Sequence, residues 1–168
     1  LHHGFADGWM WQLRFDHQVV SAGFSWNAER YAPITNSPTE LWKSFLGRYP
    51  TIAKQFSRSQ IVDPPGKLFV TGRLQRMASR AVGERWASLP HAYGFVDALH
   101  STGIAWNISG VERLAEILLR QSDSASVDEC LKEYEAALRR ELRLIDRLVH
   151  LCYQSMTDFR LFVPAVML

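Results

Sequence analysis

At 168 residues, 47% hydrophobic and 21% charged, the chain has the composition of a globular protein with a real core. A net charge of +2 is too small to argue for a nucleic-acid partner, and no apolar run approaches the ~20 residues that span a bilayer. Cys130 and Cys152 stand apart without Cys-x-x-Cys spacing, so free thiols in a reducing compartment such as the cytoplasm are expected, rather than a disulfide or a metal site.

Leu1–Phe5 reads like the end of a strand. Trp9, Trp11, Leu13 and Phe15 then alternate with Met10, Gln12 and Arg14, which is strand periodicity. Asp16-His17 is a turn signal. Val20, Ala22, Phe24 and Trp26 alternate in turn, so the two segments read as an antiparallel hairpin with one strongly aromatic face. Residues 27–36 read as a linker. Ser37-Pro-Thr-Glu40 is a helix start, with a capping residue, proline at the first helical position and the acid of a capping box. Leu41, Trp42, Phe45 and Leu46 give its buried stripe, and Pro50 restarts a short helix carrying Ile52 and Phe56. Both helices are expected to cover a sheet.

Asp63-Pro-Pro-Gly66 is a turn. A second hairpin is expected between Lys67 and Ser88, with a strand over Leu68–Met77, a turn at 82–84 and a strand from Arg85. Arg73, Arg76, Arg80 and Arg85 fall within it. They could bind a phosphate or carboxylate, but a solvated strand face is the simpler reading. After residues 89–103, Ile104, Ile108, Val111, Leu114 and Leu118 recur at helical spacing. Ser122–Ser126 reads as a loop and Ser126-Val-Asp-Glu129 as a second capping box. A helix to about Met156 follows, with Leu131, Tyr134, Leu138, Leu142, Ile145, Val149 and Cys152 as its stripe. Arg139, Arg140, Arg143 and Arg147 form a basic, solvated face. Residues 158–168 read as a last helix, with Pro164 at a start or kink.

Leu89–Ile104 organises the rest. A strand, a small-residue loop with Gly94 and Gly103, and a helix N-terminus together suit an anion or an electron-rich ring, because the first helical turn carries unpaired N–H groups and partial positive charge. Ala92-Tyr-Gly-Phe-Val-Asp-Ala-Leu-His-Ser-Thr-Gly-Ile104 resembles the second flavin-binding motif of FAD-dependent halogenases (the tryptophan-halogenase-like family). These are relatives of flavin monooxygenases with the p-hydroxybenzoate hydroxylase fold. Gly8-Trp-Met-Trp-Gln-Leu-Arg14 looks like that family's Trp-x-Trp-x-Ile-Pro signature, with Leu13 for Ile and Arg14 for Pro.

The resemblance implies an α+β fold: antiparallel β-hairpins of a substrate-domain sheet, a flavin-contacting loop–helix, and a C-terminal helical region. The segments are then 1–88 (substrate-side sheet with covering helices), 89–121 (flavin-contacting loop and helix) and 122–168. No Gly-x-Gly-x-x-Gly follows a strand here, so the chain is expected to be the C-terminal portion of a larger flavoprotein. Its Rossmann half and the family's catalytic lysine would lie upstream.

The implied cofactor is FAD, reduced by a separate flavin reductase or by NAD(P)H, with chloride or bromide as co-substrate and an electron-rich aromatic small molecule as substrate. Gly94, Phe95, Asp97, Ser101, Thr102, Gly103 and Ile104 are the implied cofactor-binding residues. The amides of Thr102 and Gly103 would also hold the halide, and Trp9 and Trp11 would wall the substrate tunnel. A side chain at Gly103 would stand where the ring must approach.

Two departures stand in the loop. His100 replaces the glutamate of tryptophan-acting members, and Ala98 replaces a proline. His100 is the candidate catalytic histidine, one that could tune protonation near the ring; His91 ranks below it. His2-His3 lacks a spaced third ligand, and no metal is expected. Hydroxylation in place of halogenation stays open. A different class of reading also stands: a non-catalytic α+β domain that binds a ligand or a protein through its aromatic hairpin.

Overall fold

A computed structural model of the protein describes residues 2–27, 37–120 and 124–167. The chain forms two compact units, one from residues 1–27 and 74–168 and the other from residues 28–73. The first begins with a three-stranded antiparallel meander of β1 (His2–Phe5), β2 (Gly8–Arg14) and β3 (Val20–Trp26). Phe5 pairs with Gly8, and Gly8 with Trp26. The position must be glycine, since a Cβ there would lie 2.0 Å from the Ser25 carbonyl oxygen. The hairpin read from alternation is present, but its single aromatic face is not. At the start of β2, Gly8, Trp9 and Met10 are all buried, so both faces are covered, whereas Leu13 and Phe15 are about half exposed. Cover varies along the strand rather than across it.

The second unit holds α1 (Pro38–Arg48) and α2 (Pro50–Phe56). The capping box forms as expected: Ser37 Oγ accepts from the Glu40 amide at 3.3 Å, and the Glu40 carboxylate accepts from the Ser37 amide at 2.9 Å. Phe45 and Ile52 are buried, and the Trp42 ring stacks on Phe45 and meets Phe56 edge-on.

The expected strand over Leu68–Met77 shrinks to β4 (Arg76–Met77). Its apolar alternation stops at Gly72, which weakens a strand interior, and Phe69 is exposed. β4 does not pair with the segment after the turn. It pairs antiparallel with β7 (Gly94–Phe95), so the ladder closes on the loop itself. The second hairpin is smaller and shifted: β5 (Val82–Gly83) pairs with β6 (Trp86–Ala87) around Glu84-Arg85, where Arg85 has φ 61°. Gly83 belongs to the ladder because the Trp86 indole lies against it. A single turn, α3 (Pro90–Tyr93), begun by Pro90, was not expected from the sequence.

Three helices complete the unit: α4 (Gly103–Arg120), α5 (Ser124–Ser155) and α6 (Phe159–Val166). α5 starts before the expected cap, so Ser126 is an interior residue. Extending a helix costs far less than starting one. Residues 121–123 of the expected loop lie outside the described residues, as do residues 28–36 of the linker. Pro164 sits inside α6, whose N-cap is Asp158.

The stripe expected on α5 is the core. Tyr134, Leu138, Leu142 and Val149 pack with Ala81, Val82, Tyr93, Val96 and Trp106. Tyr134 donates to the Ser88 carbonyl at 2.9 Å. Glu135 pairs with Arg139 one helical turn on, at 3.2 Å. It also accepts from the amides of Ala81 (2.6 Å) and Val82 (3.0 Å), tying β5 to α5. A second cluster joins Trp9, Leu99, Cys152, Met156 and Ala165. The stripe expected on α4 fails in part: Ile104, Ile108, Val111 and Leu118 are exposed, while Trp106 and Gly110 are buried and Leu114 and Ile117 pack on the core. No described helix is long and apolar enough to cross a membrane.

Candidate functional site

Beyond β7 the chain turns through residues 96–102 and enters α4. The Ser101 amide donates to the Ala98 carbonyl at 3.0 Å. Ser101 itself has φ 52°, a left-handed conformation that disfavours any residue with a Cβ and persists where the surroundings hold it. The Trp106 amide donates to the Thr102 carbonyl at 2.9 Å. Thr102 is therefore the N-cap, and the amides of Gly103, Ile104 and Ala105 are the donors that a first helical turn leaves without an intrahelical partner.

This loop and first turn face Leu142 and Ile145 of α5 across a cleft of about 250 Å³. Six of the seven residues expected to bind cofactor line it: Phe95, Asp97, Ser101, Thr102, Gly103 and Ile104. Gly94 does not. It is buried behind the cleft, where a Cβ would lie 2.3 Å from a Leu142 methyl group. A separate groove of about 300 Å³ on α5, lined by Lys132, Glu135, Ala136, Arg139, Arg140 and Arg143, holds three of the four arginines of the expected basic face, without Arg147, and shares no residue with the cleft.

The histidine in the cleft is His91, not His100. A Cβ on Gly103 would lie 2.2 Å from His91 Nε2, so the imidazole rests on the Gly103 α-carbon. The ring meets Phe95 and Trp106 edge-on at 5.9 and 6.2 Å. Its backbone is fixed at both ends: the His91 amide donates to Asn107 Oδ1 (3.0 Å), and its carbonyl accepts from the Arg76 guanidinium (2.8 Å). Among the four arginines noted in the sequence, Arg76 bonds to the loop. His100 places Nε2 3.3 Å from Cys152 Sγ. Cys152 is buried, and burial pushes its thiol up, so it stays protonated and a weak hydrogen-bond partner.

Asp97 gathers contacts from distant parts of the chain. Its Oδ1 accepts from Trp9 Nε1 (3.1 Å) and the Leu99 amide (2.8 Å), and its Oδ2 accepts from the Tyr153 hydroxyl (2.9 Å). Tyr153 also lies 3.2 Å from Ser25 Oγ. Burial and then the Asp97 charge push the Tyr153 phenol well above the ordinary tyrosine range, so it donates as a neutral hydroxyl. Trp9, expected on a tunnel wall, is 3% exposed. Trp11 is half-buried, 5.8 Å from Trp9 by ring centroids, and donates to Ser21 Oγ at 3.4 Å. Neither tryptophan lines the cleft. No spacing in the sequence announces the Asp97–Tyr153 bond, because its partners are 56 residues apart.

Residues 3–159 match the family described as tryptophan halogenase. The chain belongs to that family. It is 31% identical to monodechloroaminopyrrolnitrin halogenase PrnC of Pseudomonas fluorescens, over 96% of this chain and 29% of that protein. It is 32% identical to the tetracycline 7-halogenase of Kitasatospora aureofaciens, over 74% of this chain and 24% of that protein. It superposes on the crystal structure of halogenase PltM in complex with phloroglucinol and FAD with a TM-score of 0.77 at 28% identity, covering 96% of this chain and 33% of PltM. The chain therefore spans about a quarter to a third of the length of these relatives. The α+β architecture expected from the motifs agrees with the PltM fold.

Proposed function

We propose that the chain is the flavin-contacting and substrate-side portion of an FAD-dependent halogenase that acts on an electron-rich aromatic small molecule. The observation that carries this reading is the cleft wall formed by Ser101, Thr102, Gly103 and Ile104 at the N-terminus of α4. The residues present fit one end of a flavin ring. The cleft is a slot with apolar walls at Phe95, Val96, Leu142 and Ile145, and unpaired amides at one end. Its volume suits part of a ring rather than a whole dinucleotide, in keeping with a chain about a quarter to a third as long as its relatives.

When bound and reduced, FAD supplies the dioxygen chemistry. This chain's residues bind and orient. The amides of Gly103 and Ile104, with the positive end of the α4 dipole, stabilise negative charge on the ring edge or on a chloride or bromide held beside it. Thr102 and Gly103 are the halide positions. Leu142 and Ile145 keep water from the opposite wall. Electrons come from a separate flavin reductase or NAD(P)H, and a Rossmann half of the same protein completes the site.

The test is FAD titration of the full-length gene product, followed by turnover with reduced FAD, oxygen, bromide and a panel of phenols and pyrroles. Bromide-dependent brominated product is expected. Absence of FAD binding would refute the reading, and a hydroxylated product formed without halide would replace halogenation by monooxygenation.

A further inference from the structure

Trp9 lies on β2, Asp97 in the loop, and Tyr153 on α5, yet all three meet at one carboxylate. Three donors on one aspartate use most of its acceptor sites, and bonds to a charged acceptor are among the stronger ones. The arrangement joins three separate elements of the unit at the base of a loop whose far end carries the left-handed Ser101 and the N-cap Thr102. Trp9 is already buried within this chain, and added protein can only bury it further. It has almost no surface to offer a tunnel, but its N–H has a defined partner.

We propose that Trp9 and Tyr153 are positioning residues: through Asp97 they hold residues 97–103 in the conformation that presents the α4 amides to flavin and halide. This rests on the flavin reading above. The first tryptophan of the signature then acts through its indole N–H, and Trp11 is left as the aromatic with exposed surface. Tyr153 is the less expected partner, because it belongs to neither sequence motif. Ser25, 3.2 Å from the Tyr153 hydroxyl, carries the same network back to β3.

The experiment uses the full-length gene product with Trp9→Phe and Tyr153→Phe, each of which keeps a ring and deletes one donor, and Asp97→Asn alone and combined with each. Three quantities are read: the Kd for FAD, the visible absorption and circular dichroism of bound flavin, and hydrogen exchange of the 98–104 amides in flavin-free protein. Each single variant is expected to raise the FAD Kd by roughly tenfold, on the scale of one hydrogen bond to a charged group. It should alter the flavin spectrum and speed exchange in the loop. The double variants are expected to lose less than the sum of the singles, since all act on one carboxylate.

If Trp9→Phe fails to fold, Tyr153→Phe carries the test, since it removes a single oxygen atom. Lowered thermal stability with unchanged Kd, spectrum and loop exchange would overturn the positioning role and leave only a packing role. Additive effects with Asp97→Asn would overturn the shared carboxylate. Failure of the unsubstituted protein to bind FAD overturns the flavin reading itself, and is thereby told apart from failure of the clamp.

Discussion

Gly103→Ala separates two reasons why this position is glycine. The new Cβ would lie 2.2 Å from His91 Nε2 and 2.4 Å from Cε1. Ordinary contact at 3.4 Å requires the imidazole to retreat by about 1.2 Å. The His91 backbone cannot follow, because Asn107 and Arg76 hold it. The side chain must turn instead, at about 0.5–1.5 kcal/mol for an off-rotamer torsion. Alanine in the first turn of α4 returns up to ~1 kcal/mol of helix propensity. The stability of the variant should therefore stay within about 1 kcal/mol of the parent. Phe95 and Trp106 flank the ring, so the space open to it is the cleft, and FAD affinity in the full-length gene product should fall by roughly tenfold or more.

The second half of the assay is the double variant Gly103→Ala with His91→Ala. If the displaced imidazole is the obstacle, the double variant recovers most of the lost affinity while Gly103→Ala alone does not. If the alanine methyl group blocks the flavin directly, as the motif by itself suggests, removing His91 restores nothing. Isothermal titration with FAD and thermal melts on the four proteins decide it, and absence of recovery refutes the steric route through His91.

Glu135→Gln should cost about 1 kcal/mol of stability, read from urea midpoints, because the Ala81 and Val82 amides lose a charged acceptor. Burial pushes the Glu135 carboxyl up, but those amides with Arg139 and Arg80 outweigh it and hold it below the usual carboxylate value. Its stabilisation is thus complete above the ordinary carboxylate range, and is lost as pH falls through that range to the lower folded value; the Gln variant should lack this dependence. Burial pushes the Tyr134 phenol up to about 12, so its stabilisation holds below the ordinary tyrosine value near 10 and is lost as pH rises from there toward 12. Ultraviolet titration should show a late phase that Tyr134→Phe reduces, the remainder belonging to Tyr153. Of the two free cysteines, half-buried Cys130 should react with an aromatic disulfide reagent in the native state and buried Cys152 only after unfolding; equal rates would contradict the packing around Cys152. Leu138→Ala, at the centre of the main core, should cost about 2–5 kcal/mol by thermal or urea melts.

The long amphipathic helix was legible because most of its apolar residues share one face, and that face packs into the core. α4 defeats the same rule for a physical reason. Ile104, Ile108, Val111 and Leu118 lie on one side, and Trp106, Gly110, Leu114 and Ile117 on another. Periodicity finds such a helix but cannot say which apolar side this chain covers, and Gly110, buried against the Pro90 ring, scores as a breaker rather than a contact. The cleft lining was legible from one contiguous motif, since residues 95–104 are neighbours in the chain before they are neighbours in space. What was not legible needed distance. From sequence, His100 ranks above His91 because it stands inside the motif. In space the difference between them comes from Gly103, which leaves room for one ring, and from Cys152, which engages the other. The role of Trp9 likewise depends on a carboxylate 88 residues away. A motif that fixes residue types can therefore name the wall of a site, while the partner that orients a side chain decides whether it faces the site or braces it from behind.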